Sequence, residues 1–374
     1  MRFNLHYDMA DEEIASWLDF TERRRYVIRA MVPDGYETYF QEQARYMSAH
    51  TSTAIEGNPL SDEAAMLVLV EGAHADDPAG IEKVSLEEAY ELMTLLASDK
   101  STKIDQGIIR TINSMALKGL PDRQAQTRGK YRVGQNLIVD AATREIRYRP
   151  PPPEWVPGLM NDFVENLDRW IEEYPGPIAA ALAHFGLISI HPFDDGNGRT
   201  ARLMADMVLE LKGWSVEGML SISKVFLDKR SEYYAALRES RGEQFSEEID
   251  ATPFVRFHTR ALADAAATLE ERVVIFNKRR DAWVRQVAFL NSRQVTALMF
   301  MLDIGPLSSS LYARLTKSSQ ATALTDLSQL VEQRLAIRDG AGRSTRYKLH
   351  PEIVQSVEGN DLDADPSSSA AAAP

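Results

Sequence analysis

Cysteine is absent from all 374 residues. That excludes disulfides, thiolate metal ligands and cysteine nucleophiles, and it suits a reducing compartment. Long apolar runs are missing as well: none approaches the roughly 20 residues of a membrane span. The opening MRFNLHYDMADEE has no basic-then-apolar leader pattern, so the expected location is cytoplasmic. Basic residues are in deficit, 42 Lys and Arg against 55 Asp and Glu, for a formal net charge of -13. This balance argues against broad, backbone-driven nucleic-acid binding, while leaving room for one local basic element. The G-x-x-x-x-G-K-[ST] loop, the strand-borne G-x-G-x-x-G turn and the H-E-x-x-H zinc helix do not occur. There is no internal repeat. What remains is an ordinary globular composition, 44% hydrophobic and 26% charged, in a chain long enough for two or three domains.

Helical periodicity dominates. Residues 11–47 read as helices broken at Pro33-Asp34-Gly35, followed by a short helix to Glu56 that Gly57-Asn58-Pro59 stops. Ser61 is placed to cap a new helix, and further helices are expected over 85–98 and 105–118. Within the first 280 residues, strand signals gather in one place. Tyr131 to Val139 and Glu145 to Tyr148 flank a short turn, and Pro150 to Pro153 ends the pair in a stiff extended segment. Helices resume over 156–173. Ile178 to Ile190 is apolar almost all round, which predicts a central buried helix. After Trp214 the pattern is helical to about Leu290. Helices over 294–302, 307–315 and 322–334 then precede two short strands, Ala336–Arg338 and Thr345–Leu349, which is the order of a winged helix. The Ser/Ala/Asp-rich end from about Gly359 is expected to be disordered.

The buried helix runs directly into HPFDDGNGRTAR, His191 to Arg202. Pro192 disfavours helical geometry at His191 and should leave its imidazole at the helix mouth. Gly196-Asn197-Gly198 lets backbone N–H groups converge on an anion and feeds a helix N-terminus that favours phosphate. Arg199 and Arg202, three apart, share a face and suit successive phosphates. A carboxylate at Asp195 among so many phosphate binders is best explained as a Mg²⁺ ligand. His191 can accept a proton from an incoming hydroxyl. Phe193 should turn inward as an anchor. A buried helix, a turn and an arginine-bearing helix would also read this way singly, but not with every group together.

HPFDDGNGR-TA-R matches H-x-F-x-[DE]-G-N-G-R-x-x-R, so the chain resembles the Fic-domain family, with supporting similarity from about residue 35 to 350. That similarity includes Gly129 to Arg132, the proline run, Trp155 and His184. The resemblance implies a mainly α fold: a helical bundle with a small β-hairpin flap and a C-terminal winged-helix module. It also implies an ATP-dependent protein adenylyltransferase. His191 would be the general base for a Ser, Thr or Tyr hydroxyl attacking the α-phosphate of ATP. Asp195 would hold Mg²⁺, Gly196, Asn197 and Gly198 would form the anion hole, and Arg199 and Arg202 would hold the outer phosphates. Relatives that phosphorylate instead depart from the G-N-G-R core, and this chain does not.

The similarity extends to Ser52-Thr-Ala-Ile-Glu56-Gly57, which fits the family's inhibitory helix. Glu56 paired with Arg202 would occupy the guanidinium that the γ-phosphate needs. The hairpin at 131–148 would dock the target by backbone pairing. Tyr233 and Tyr234 resemble the region lining the adenine pocket, although aromatic pairs at this spacing are more often core. His184 reads as a satisfied core histidine, and His50 and His74 carry no visible constellation. In the winged helix, Arg338, Arg343, Arg346 and Lys348 suit a wing on phosphates, but Asp326 and Glu332 against Arg334 make a poor reading helix.

The expected layout is a helical region over 1–100 with the inhibitory helix at 45–57, then a catalytic core over 101–245. Connecting helices at 246–290, the winged helix at 291–350 and a mostly disordered tail at 351–374 complete it. Expected partners are ATP and a target protein on the flap. A homodimer is left open, DNA is disfavoured and no membrane is involved. The competing functions are a DNA-binding regulator or toxin–antitoxin component using the domain as a nucleotide sensor, a different nucleotide donor, or AMP removal.

Overall fold

Short-range signals set most of the element boundaries in the computed structural model, which describes residues 3–71, 77–120, 126–139, 143–287, 289–342 and 345–353. Helix α1 (Glu12–Met31) starts where the Asp11 side chain accepts from Ile14 N–H at 2.9 Å, and it stops ahead of Pro33. Helix α2 (Glu37–Ile55) ends at Gly57, whose φ of 98° a side-chain-bearing residue would adopt only with strain. Ser61 caps α3 (Asp62–Glu71) through Ala64 N–H, and Pro78 opens α4 (Pro78–Ser98). Asp105 caps α5 (Gln106–Ala116).

The flap is smaller than its composition predicts. Among the described residues of 131–148, β2 (Ile138–Val139) and β3 (Ile146–Tyr148) are the strands that pair, antiparallel and with an irregular register. Tyr131, expected within a strand, instead forms an isolated bridge to Phe193. Helix α6 (Val156–Glu173) follows, then α7 (Gly176–Ile190), in which every residue is buried. At Gly186 a Cβ would come within 2.8 Å of the Phe163 ring, so glycine lets α6 close on α7. Helix α8 (Asn197–Leu211) lies against α7 and shares its core. Short α9 (Ser223–Asp228), α10 (Arg230–Arg241) and the long α11 (Thr252–Gln286) complete the helical order of this part.

One expectation fails. A parallel pair joins β1 (Asn4–His6) to β4 (Glu248–Asp250), so strand is not confined to the flap. Each strand is three residues long with one buried side chain, Leu5 and Ile249, too short for alternation to register in the sequence.

The chain divides into two units, Met1–Val274 and Ile275–Pro374. In the second, α12 (Ser292–Asp303) opens with a capping box between Asn291 and Gln294. Helices α13 (Ser309–Leu315) and α14 (Gln320–Glu332) follow, then antiparallel β5 (Ala336–Asp339) and β6 (Arg346–Leu349). Leu307 bridges to Tyr347 beside that pair. Asp326 is not a surface acid of α14. It is 4% exposed and accepts from Tyr312 Oη at 2.7 Å, Arg293 Nε at 2.8 Å and Asn291 Nδ2 at 3.1 Å. Lys348, expected on phosphate, pairs with Asp339. His74, the turn at 140–142, Arg343 and Ser344 of the wing, and the tail from 354 onward lie outside the described residues.

Candidate active site

His191 closes α7 in the left-handed conformation, φ 51° and ψ 57°. A non-glycine residue there costs on the order of 1 kcal/mol, so the surroundings must hold it. They do so through Arg132, which is 2% exposed. Its Nε donates to the His191 carbonyl at 2.8 Å, Nη1 to Gly134 O at 3.1 Å and Nη2 to Pro151 O at 2.5 Å. The Arg132 amide also donates to Pro192 O at 2.9 Å. One guanidinium thus ties the flap's first strand region, the proline run and the imidazole's own backbone together. Sequence reasoning placed Arg132 in a family-like stretch without assigning it this work.

The His191 ring borders a cavity of about 320 Å³, with Nδ1 on the buried side. Burial, reinforced by the Arg241 guanidinium, pushes its pKa down to about 4, and the Ile188 carbonyl only partly offsets this. The imidazole is therefore neutral at pH 7, and its outward nitrogen can take a proton. Phe193 turns inward as expected, 1% exposed. Asn197 lines the cavity while its side chain braces the turn: its Oδ1 accepts from Phe193 N–H at 2.9 Å and its Nδ2 donates to Phe193 O at 2.8 Å.

Backbone freedom is used at Gly196, with φ 75°, and not at Gly198, which sits inside the first turn of α8. What matters at Gly198 is the missing side chain, because a Cβ would collide with Glu56 Oε1. The carboxylate lies against the first turn of α8, whose amides would favour phosphate oxygens.

Glu56 Oε1 lies 2.7 Å from Arg202 Nη2. Ser52 completes the clamp, its Oγ accepting from Arg202 Nε at 2.7 Å and its carbonyl from Nη2 at 2.9 Å. Burial alone would raise the Glu56 pKa, but the Arg202 charge and hydrogen bond hold it below the usual carboxylate range. Arg199 is engaged as well. It pairs with Glu82 of α4 and, through Nη2, with Asp195 Oδ1 at 2.9 Å. Glu82 is a site residue the sequence pattern missed, and its Oε2 accepts from Asn58 Nδ2 at 2.7 Å, just past the end of α2. Nothing in local spacing links residues 24 or 117 positions apart.

Asp195 and Asp194 both line the cavity, with no imidazole or thiolate beside them other than His191. Oxygen donors of this kind suit a hard cation such as Mg²⁺, which takes one or two carboxylates and completes its shell with phosphate and water. No group of three or more His, Asp or Glu forms a cage among the described residues.

The aromatic pair separates. Tyr233 is 1% exposed and its hydroxyl meets His184 Nε2 at 2.9 Å inside a cluster with Phe226 and Phe254. Tyr234 is 40% exposed beside Arg230. His184 is indeed a core histidine. His50, which showed no partner in the sequence, meets Asp62 Oδ1 at 2.8 Å.

A buried helix ending in a left-handed histidine, a glycine-bearing turn and two arginines meet around one cavity of a helical bundle. Residues 103–209 match the family model described as Fic/DOC family. The chain is 32% identical over 226 residues to a protein adenylyltransferase Fic of Nematostella vectensis, covering 59% of this chain and 47% of that protein. Protein adenylyltransferase fic-1 of Caenorhabditis elegans is 30% identical over 225 residues, covering 59% and 39%. The chain thus spans about half or less of the length of these curated relatives. A Fic family protein from Desulfovibrio desulfuricans G20 shares the fold with a TM-score of 0.56 at 24% identity, covering 93% of this chain and 99% of that one. A Fic domain containing signaling protein from Bacteroides thetaiotaomicron gives 0.57 at 21% identity, covering 70% and 97%. No described helix is long and apolar enough to cross a membrane.

Proposed function

We propose that the protein transfers AMP from ATP to a hydroxyl of a target protein, and to itself, and that the site is held off by its own α2. The hydroxyl oxygen attacks the α-phosphorus, its proton passes to the outward nitrogen of His191, and the bond to the β-phosphate oxygen breaks. Pyrophosphate leaves with that electron pair. The first-turn amides at Gly196 to Arg199 receive phosphate oxygens, and Arg199 and Arg202 neutralise the outer phosphates. Asp195 would hold Mg²⁺, which would supply positive charge to stabilise the leaving group. Of Tyr233 and Tyr234, the exposed Tyr234 would be the ring that meets an adenine. The flap edge at β2 would pair with the target's backbone.

The observation that carries the inhibited state is the Glu56 carboxylate on Arg202 and against Gly198. A nucleotide must displace it to place a γ-phosphate on that guanidinium. Glu82 engages Arg199 in the same manner, so both phosphate-gripping cations are occupied from outside the motif.

The test uses ATP labelled at the α-phosphate with wild type, Glu56→Gly and His191→Ala. Strong self-labelling by Glu56→Gly, little by wild type and none by His191→Ala is expected. Equal labelling of wild type and Glu56→Gly would remove the inhibitory role, and label persisting in His191→Ala would remove the base.

A further inference from the structure

A second cavity, of about 180 Å³, lies against the middle of α2, bounded by α2, α4, α8, α11 and the loop at 215–222. Much of its wall is apolar, from Ala44, Met93, Leu209, Leu220 and Ile222. Asp206 of α8 interrupts that wall. Its Oδ2 accepts from Tyr90 Oη at 3.0 Å, and among the described residues no other hydrogen bond reaches this carboxylate. Burial pushes its pKa up to about 7, despite the Tyr90 bond and Arg202 one turn earlier. Asp206 is half-buried, and a carboxylate so placed with a single donor gains from a cationic partner. Glu42, Glu210 and Glu217 also line the space but are paired with Arg45, Lys100 and Arg29, so among the described residues Asp206 is the lining carboxylate without an ion pair.

We propose that this cavity binds a small organic cation, its ammonium on Asp206 and its apolar body against Met93, Leu209 and Leu220. The size suits one ring with a short arm, since a cavity of roughly 150 Å³ accommodates benzene. Ala44 and Ser48 form the α2 side, and Ser48 Oγ holds Ser221 Oγ at 2.8 Å. The same helix carries Ser52 and, at its C-cap, Glu56. A ligand that touches α2 in its seated position binds that state more tightly than one with α2 withdrawn. By reciprocity it strengthens the inhibition. This regulatory half rests on the reading of Glu56 given above; the binding half does not.

The probe is 2-phenylethylamine, titrated calorimetrically into the full chain at about pH 8, where both the carboxylate and the amine are charged. Binding of one molecule per chain is expected, weakened about tenfold or more by Asp206→Asn and for the neutral 2-phenylethanol. Leu220→Phe, which fills the cavity without touching the carboxylate, should abolish binding with the melting temperature retained. No binding, equal affinity for the alcohol, or indifference to both variants overturns the site. Glu56→Gly should bind the amine several-fold more weakly than wild type. Equal amine affinity in those two proteins overturns the coupling, whatever their labelling with ATP.

Discussion

Replacing His258 with leucine should blunt the protein's acid sensitivity by a calculable amount. His258 is fully buried, neither ring nitrogen has a hydrogen-bond partner, and burial pushes its pKa from 6.5 to about 3. It is neutral in the fold and gains its proton only on unfolding. Stability is therefore complete above about pH 6.5 and is lost as pH falls toward 3. Between pH 7.5 and 5 the unfolded chain gains nearly one proton at this site, which costs the fold about 2 kcal/mol. That figure barely depends on the folded pKa, provided it lies well under 5. Asp206, raised to about 7, moves the other way and is stabilising as pH falls, so the readout is variant minus wild type. Thermal melts at the two pH values should show His258→Leu losing about 4–8 °C less than wild type. An identical loss in both proteins would refute the assignment of a neutral buried imidazole.

Arg132→Lys should lower kcat by about 10–100-fold with little change in ATP affinity, because one ammonium cannot hold three carbonyls in the directions a guanidinium reaches; single-turnover and binding measurements separate the two. Adding Glu82→Gln to Glu56→Gly should tighten ATP binding by a further several-fold, read by titration calorimetry, since it releases Arg199 from one of its two carboxylates. Asp326→Asn should destabilise the second unit by about 2–3 kcal/mol while leaving self-labelling of Glu56→Gly unchanged, because it weakens a buried charge-assisted network. Stability of the second unit can be followed by hydrogen exchange in α12 and α14.

Legibility in the sequence followed the range of the interactions. The edges of α6 and the end of α7 are written in local signals, among them Pro157 early in the first and Pro192 just after the second. The motif at His191 to Arg202 is equally local, one helix end, one turn and one helix start, so its chemistry could be read before any geometry. The pairing of Glu56 with Arg202 spans 146 positions and was reached through family resemblance rather than spacing. Contacts with no such guide stayed hidden: Glu82 on Arg199, Arg132 on the His191 carbonyl, and the β1–β4 pair. The two glycines of the motif looked equivalent in sequence. Geometry separates them, one needed for its φ and the other for the space it leaves to a carboxylate.

Intact mass spectrometry of Glu56→Gly after incubation with ATP and Mg²⁺ addresses the central claim most directly. The account predicts a mass gain of one AMP, mapped to a hydroxyl side chain, together with release of pyrophosphate and no such gain for His191→Ala. A gain of a phosphate unit, or no covalent gain in a protein that still binds ATP, would contradict it.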